Sequence, residues 1–269
     1  MSADERMKGP WAVAAYAATG LAMLFILAPI LVTLALSVSD SVFVTFPPKG
    51  FTLAWYGKVL SDQNFLGSLT TSLQIATAAT GITVVLGVPA AYAIVRHPFP
   101  GSGICQEIVL SPLIFPVLIT GLVLVKFFAG WGMQNAFPNM ILAHALVTLP
   151  YVVRTVTASL LLADRSLDEA AMTLGYNPLL TFFRVTIPQI APGLAAGALF
   201  AFMVSLDNFP ISMWLIDART VPVPIMLFQS MSRLFDPSIA AMSSVMIVIG
   251  TLAVLCLEKL VGLRRAMTM

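Results

Sequence analysis

Carboxylates carry most of the chemical potential in this chain, and three of them, Asp164, Asp168 and Glu169, fall in one short stretch. Such groups do acid–base work when a nucleophile or a metal stands beside them. No histidine or cysteine joins the cluster. His97 and His144 stand alone and far apart, and Cys105 and Cys256 form no C-x-x-C pair and read as packing residues. No metal set and no nucleophile–base pair can be assembled, so no catalytic or metal-binding residue is assigned and the chain is not expected to be an enzyme. The only Gly-Lys pair, Gly57-Lys58, is followed by Val59, so nothing here cradles nucleotide phosphates. A further carboxylate, Asp207, lies inside a long apolar stretch, where its charge costs about 2.5–3.5 kcal/mol on insertion scales. Three answers to that charge stay open: a cationic solute passing by, the guanidinium of Arg154, or a capping role at a helix break near Pro210, whose ring frees the Leu206 carbonyl. Asp207 and the adjacent Asn208 are the substrate-path candidates.

Membrane helices must position these residues. The chain has 269 residues, 59% hydrophobic and 10% charged, with a mean hydropathy of +0.95. Soluble domains carry roughly 25% charged residues, so this chain lacks a polar coat and the bilayer must be its solvent. Inside a bilayer the backbone is satisfied only in helices or a closed barrel. The apolar runs are long and do not alternate, which selects helices. Six runs of spanning length are expected near 11–38, 66–95, 104–130, 140–162, 190–216 and 238–262, giving an all-α polytopic membrane protein with a single transmembrane domain over 1–269. The first run is too long for the apolar region of a signal peptide and reads as an uncleaved span.

Six spans put both termini on one face. That face holds Arg6, Lys8, Arg96, Arg165, Arg184, Lys259, Arg264 and Arg265, against Lys49, Lys58, Arg219 and Arg233 on the other, with Lys126 near it. The bias predicts cytoplasmic termini and a cytoplasmic loop at 163–188. On the outer side, Pro47-Pro48-Lys49-Gly50 marks a turn, and Trp55-Tyr56 suits a short interfacial helix around 54–60. The remaining outer segments, 131–139 and 217–236, read as short loops. Net charge is only +2 and flanks the spans, so it reports topology rather than nucleic-acid binding.

The loop at 163–188 is tightly punctuated. Ser166-Leu167-Asp168-Glu169 reads as a capping box, with Asp168 adding charge to the helix N-terminus. Ala170, Ala171, Met172 and Leu174 favour helix, and Gly175 suits a C′ stop. Asn177-Pro178 then starts a second short helix, Asn as cap and Pro at its first position. Pro188 marks the approach to the fifth span.

Glu169-Ala170-Ala171, three residues, Gly175, nine residues, then Val185-Thr186-Ile187-Pro188 resembles the EAA loop of permease subunits in binding-protein-dependent ABC importers. The pattern departs from E-A-A…G…I-x-L-P only in Val185 and Ile187. The resemblance implies the type I importer fold and a coupling helix that docks on a separate ATPase. It assigns Glu169, Ala170, Ala171, Leu174, Gly175 and Pro188 to that coupling. It also implies no cofactor in this chain, with ATP and Mg2+ at the partner ATPase dimer. The further implied partners are a second permease subunit, expected to be non-identical, and a periplasmic or extracellular solute-binding protein. The implied location is a bacterial inner membrane.

Phe202-Met203-Val204-Ser205-Leu206-Asp207-Asn208, Thr220-Val221-Pro222-Val223-Pro224 and Phe235-Asp236-Pro237-Ser238-Ile239-Ala240-Ala241 resemble the spermidine/putrescine permease branch, its C-type subunits in particular. That resemblance points to a polyamine as solute. Another small organic solute is the alternative, and a secondary transporter driven by an ion gradient is a more distant one, since the halves show no evident symmetry and intramembrane charges are few. Gly193 and Gly197 form a G-x-x-x-G pattern, read as close packing within the chain.

Overall fold

The computed structural model describes residues 10–41, 43–233 and 236–261. Arg6, Lys8, Arg264, Arg265 and Phe235, all used above, lie outside the described residues. Regular structure among the described residues is entirely helical. In chain order the helices are α1 (Pro10–Ser37), α2 (Ala54–Ser61), α3 (Gln63–Arg96), α4 (Ser102–Leu110), α5 (Val117–Gly130), α6 (Ala136–Leu162) and α7 (Arg165–Thr173). There follow α8 (Pro178–Thr181), α9 (Ile187–Leu206), α10 (Phe209–Leu215), α11 (Val223–Arg233) and α12 (Ser238–Val261). Five helical rods are long and apolar enough to cross a membrane: Trp11–Ser37, α3, α6, the continuous rod Pro178–Leu206, and Ser238–Lys259.

The third apolar run does not form the single rod expected over 104–130. α4 and a 3₁₀ turn at Ser111–Leu113 meet α5 at a bend of 103°. Pro112 and Pro116 sit at the bend and neither can donate a helical hydrogen bond, so the run is broken where the ladder loses its donors. The fifth run is shifted as well. Its helix starts at Pro178 and stops at Leu206, and α10 resumes beyond Asp207 and Asn208. The segment 217–236, expected as a loop, contains α11.

The chain divides into two compact units. One comprises Gln63–Gln229 with the segment from Val248 onward, and its core is the packing of α3, α6 and α9. Val88, Ala91, Val152, Val153, Val156, Leu160, Ile190 and Ala201 form its centre. Gly193 and Gly197 let α9 press against α6: a Cβ at Gly193 would overlap Ser159 Oγ and stand 2.9 Å from the Thr155 carbonyl, and one at Gly197 would overlap Thr155 Oγ1. The G-x-x-x-G pattern therefore serves packing within the chain. A second cluster, including Ile75, Phe128, Met140, Val147 and Ile211, seats α5 and α10 on α3 and α6.

The other unit comprises the chain up to Asp62 together with Ser230–Ile247. α2 falls where the interfacial helix was expected. Trp55 Nε1 donates to the Ser39 carbonyl at 2.9 Å, Tyr56 Oη and Ser37 Oγ hydrogen-bond at 2.7 Å, and Lys58 Nζ reaches Asp236 Oδ2 at 3.1 Å. Asp236 also accepts from the Ser238 backbone N–H at 2.9 Å and from its hydroxyl, which fixes the start of α12.

Candidate functional site

The polar loop builds one short helix with defined ends. α7 starts at Arg165, slightly ahead of the expected capping box, and Asp164 is its cap: the carboxylate accepts the Ser166 N–H at 2.9 Å. Hydrogen bonding to Ser166, first of all from its backbone N–H, holds the Asp164 carboxyl below the usual aspartate range. The Ser166–Glu169 box is not formed, because Ser166 already lies within the helix. Glu169 instead meets Arg165 one turn back at 3.5 Å, with both side chains about two-thirds exposed. Such an exposed i,i+4 pair contributes about 0.3–0.5 kcal/mol.

The C-terminal end follows expectation closely. Gly175 has φ +93° and donates to Met172 O at 3.0 Å, while Tyr176 donates to Ala171 O at 3.1 Å. These two bonds are the Schellman pattern, and the left-handed conformation suits glycine. Asn177 Oδ1 then accepts the Leu180 N–H at 2.7 Å with Pro178 at the first helical position. The second short helix does not stand free, however. α8 runs through a π-helical turn, Phe182–Thr186, straight into α9. Pro188 cannot donate to the preceding turn, and the ladder widens just before it: Ile187 N–H bonds the Phe182 carbonyl, five residues back.

α7 has two unlike faces. Asp168 and Ala171, three residues apart, are buried, whereas Leu167, Glu169, Ala170, Met172 and Leu174 are exposed, Leu174 at 83%. The two alanines thus part company: Ala171 packs inward on its own chain and Ala170 faces out. The exposed face mixes apolar Leu167, Ala170 and Met172 with the Arg165–Glu169 pair.

The buried face of α7 holds a polar contact that the sequence alone did not disclose. Asp168 Oδ1 accepts the Thr186 hydroxyl at 3.0 Å, and Asp168 Oδ2 lies 3.6 Å from a guanidinium nitrogen of Arg96. The same nitrogen donates to the Ala163 carbonyl at 3.2 Å. Arg96 is the last residue of α3, Ala163 the C-cap of α6, and Thr186 closes the turn before α9. Both charged side chains are about 90% buried. Removing one member of such a pair costs about 3–5 kcal/mol, since the other charge stays behind. The sequence signal was faint: a lone cation at the end of the second span and a carboxylate in a loop on the same face.

Asp207 is exposed at the C-terminal end of α9, its N–H bonded to Met203 O and its carbonyl accepting from Phe209 N–H at 2.9 Å. No ion pair joins it to Arg154, which is also exposed, among the described residues. The break near Pro210 exists, but Asn208 caps it: its Oδ1 accepts the Ile211 N–H at 3.1 Å, and the residue is buried. His144, set aside above as solitary, lies on α6 behind this break. Its Nδ1 is 2.8 Å from Ser205 Oγ and its Nε2 3.2 Å from Ser212 Oγ. The contact resembles a histidine–serine pair, yet the ring is only 2% exposed and both nitrogens are occupied by hydroxyls. It staples α9 and α10 to α6 on either side of the break. Ser205 and Ser212, seven residues apart, were the available clue.

Helices of this kind, with a broken third span and a short polar helix between the fourth and fifth, define a class. Residues 83–264 match the family described as "Binding-protein-dependent transport system inner membrane component". The chain belongs to that family, and is a multi-pass membrane permease of an ABC importer. It is similar to the putrescine transport system permease protein PotI of Escherichia coli K12, 32% identical over 248 residues that cover 90% of this chain and 87% of that one. It is also 26% identical to the spermidine/putrescine transport system permease protein PotC of Haemophilus influenzae, over 79% of this chain and 82% of the relative. In three dimensions it superposes on a chain of a bacterial ABC transporter that imports the acidic polysaccharide alginate, with TM-score 0.67, 18% identity, and coverage of 97% and 98%. That likeness speaks for the type I importer fold alone.

Proposed function

We propose that this chain forms half of the translocation path of a polyamine importer, taking a solute of the putrescine or spermidine kind. Identity of 32% to a putrescine permease across 90% of the chain carries this reading. Asp207 supports it: an exposed carboxylate at a break between apolar helices, with no ion pair to it among the described residues, suits a passing ammonium group. A separate ATPase dimer binds ATP and Mg2+ and receives the exposed face of α7, with Glu169, Ala170, Leu174 and Gly175 at or beside the contact, Ala171 seating the helix from behind, and Pro188 shaping the rod beyond it. A second, non-identical permease completes the path, and a solute-binding protein delivers the polyamine from the far side. The termini and α7 lie on the cytoplasmic side of an inner membrane, as the excess of Lys and Arg there favours.

Growth tests this reading. A bacterial strain that neither makes nor imports putrescine should grow on low external putrescine when it expresses this chain with its ATPase, partner permease and binding protein. Failure on putrescine and spermidine, with rescue of an auxotroph for another small solute, would reassign the cargo and leave the fold and family untouched.

A further inference from the structure

We propose that Arg96 and Asp168 form a clamp that makes α7 move as one body with the ends of α3, α6 and α9, and that this clamp sets how much solute moves per ATP. The proposal rests on the permease reading of the chain and names positioning residues for it.

The backbone by itself leaves α7 loosely held. Ala163 and Asp164, which join it to α6, are extended, with ψ of 136° and 111°. At its other end Gly175 turns the chain in the left-handed region before Asn177 restarts the helix. A nine-residue helix between two such joints can swing on both. A force applied to its outer face would then be absorbed by the joints rather than passed to the membrane helices.

Side chains remove that freedom. One guanidinium nitrogen at the end of α3 faces the carboxylate on the buried side of α7 and the terminal carbonyl region of α6 at once. The other carboxylate oxygen takes the hydroxyl of Thr186, in the π-helical turn that leads into α9. Arg96 of α3 and Thr186 at the root of α9 thus meet one buried carboxylate on α7, and the same Arg96 nitrogen ties in the end of α6. Beside it, Tyr92 of α3 packs edge-on against Phe182 of the same turn, ring centroids 4.8 Å apart, so α3 and the root of α9 are already joined to each other. α9 ends at the break that carries Asp207. Displacement of α7 therefore reaches that break through a continuous, packed helix. Both groups are buried, so their charges favour the position of α7 that keeps them facing each other.

Asp168→Asn tests the clamp most cleanly. It keeps an oxygen for the Thr186 hydroxyl and removes only the charge that faces Arg96. Thr186→Val removes the other arm at nearly constant shape. Each variant is assembled with the ATPase, the second permease and the binding protein. Two quantities are read: solute accumulated per ATP hydrolysed in proteoliposomes, and the spin-label distance distribution between Thr173 on α7 and Leu86 on α3, after Cys105→Ser and Cys256→Ser. Both labelled positions are exposed. Asp168→Asn leaves the Arg96 charge unanswered and lowers stability; in the complexes that assemble it should lower solute per ATP about tenfold and broaden the distance distribution. Thr186→Val should move both quantities in the same direction by less. An unchanged ratio together with an unchanged distribution in either assembled variant overturns the clamp. Should Asp168→Asn fail to assemble, Thr186→Val decides. If the unmodified complex itself shows no ATP-dependent uptake, the permease reading of the cargo or partners fails, while the distance measurement still judges the clamp.

Discussion

A carboxylate among apolar helices persists only where something answers its charge. For Asp207 the sequence left three answers open, and the structure removes two from this conformation: Arg154 does not pair with it, and Asn208 rather than Asp207 caps α10. Asp207→Asn should therefore shift the melting temperature of the purified complex little, since substitutions of exposed, unpartnered groups usually fall within about 0.5 kcal/mol. It should instead raise the solute concentration needed for half-maximal uptake and lower the rate at saturation. Adding Arg154→Met to Asp207→Asn should not restore uptake. Unaltered uptake in a well-folded Asp207→Asn would remove Asp207 from the path. His144 shows what could not be read residue by residue. A solitary histidine in an apolar run must find polar partners, but which of the chain's many serines answers it depends on how α9 and α10 stack on α6.

At the scale of elements, what depends on neighbours in sequence was legible and what depends on facing helices was not. The Gly175 stop, the Asn177-Pro178 restart and α2 follow from local backbone chemistry, and all fall where expected. The start of α7 moved because Asp164 and Ser166 are both competent caps, and sequence ranks them nearly equally. That cap carries a pH signature. The Asp164 carboxyl is depressed by accepting the Ser166 N–H, so its contribution is complete above the pKa of an unfolded aspartate, about 3.9. It is lost as pH falls through the still lower folded value. The protection of the Ser166 amide, its exchange rate taken relative to an unstructured amide at the same pH, should fall on acidification below about pH 4, and Asp164→Asn, a neutral cap, should flatten that dependence. Equal pH dependence in both proteins would show that Asp164 is not the group responsible. The π-helical turn before Pro188 and the Arg96–Asp168 contact escaped because neither leaves a pattern in a single segment.

For the molecule as a whole, hydropathy was the reliable guide. Long apolar runs gave the spanning rods, since the bilayer permits few alternatives for the backbone. Hydropathy was blind to the 103° bend in the third run, where prolines divide a stretch whose residues on both sides of the break are mostly apolar. The EAA-like spacing pointed to the family from the sequence alone, and the matched residues 83–264 include that loop. On the reading proposed above, this chain passes a polyamine across a membrane at the expense of ATP split elsewhere. Uptake of radiolabelled putrescine into proteoliposomes tests it most directly, using the purified complex of this chain with its second permease and ATPase, and with the solute-binding protein supplied outside. The expected result is accumulation that requires internal ATP and the binding protein. Glu169→Lys, which reverses charge on the exposed face of α7, should abolish that accumulation without preventing assembly. Putrescine accumulation driven by an ion gradient in the absence of ATP, or none under any condition while another solute accumulates, would contradict the reading.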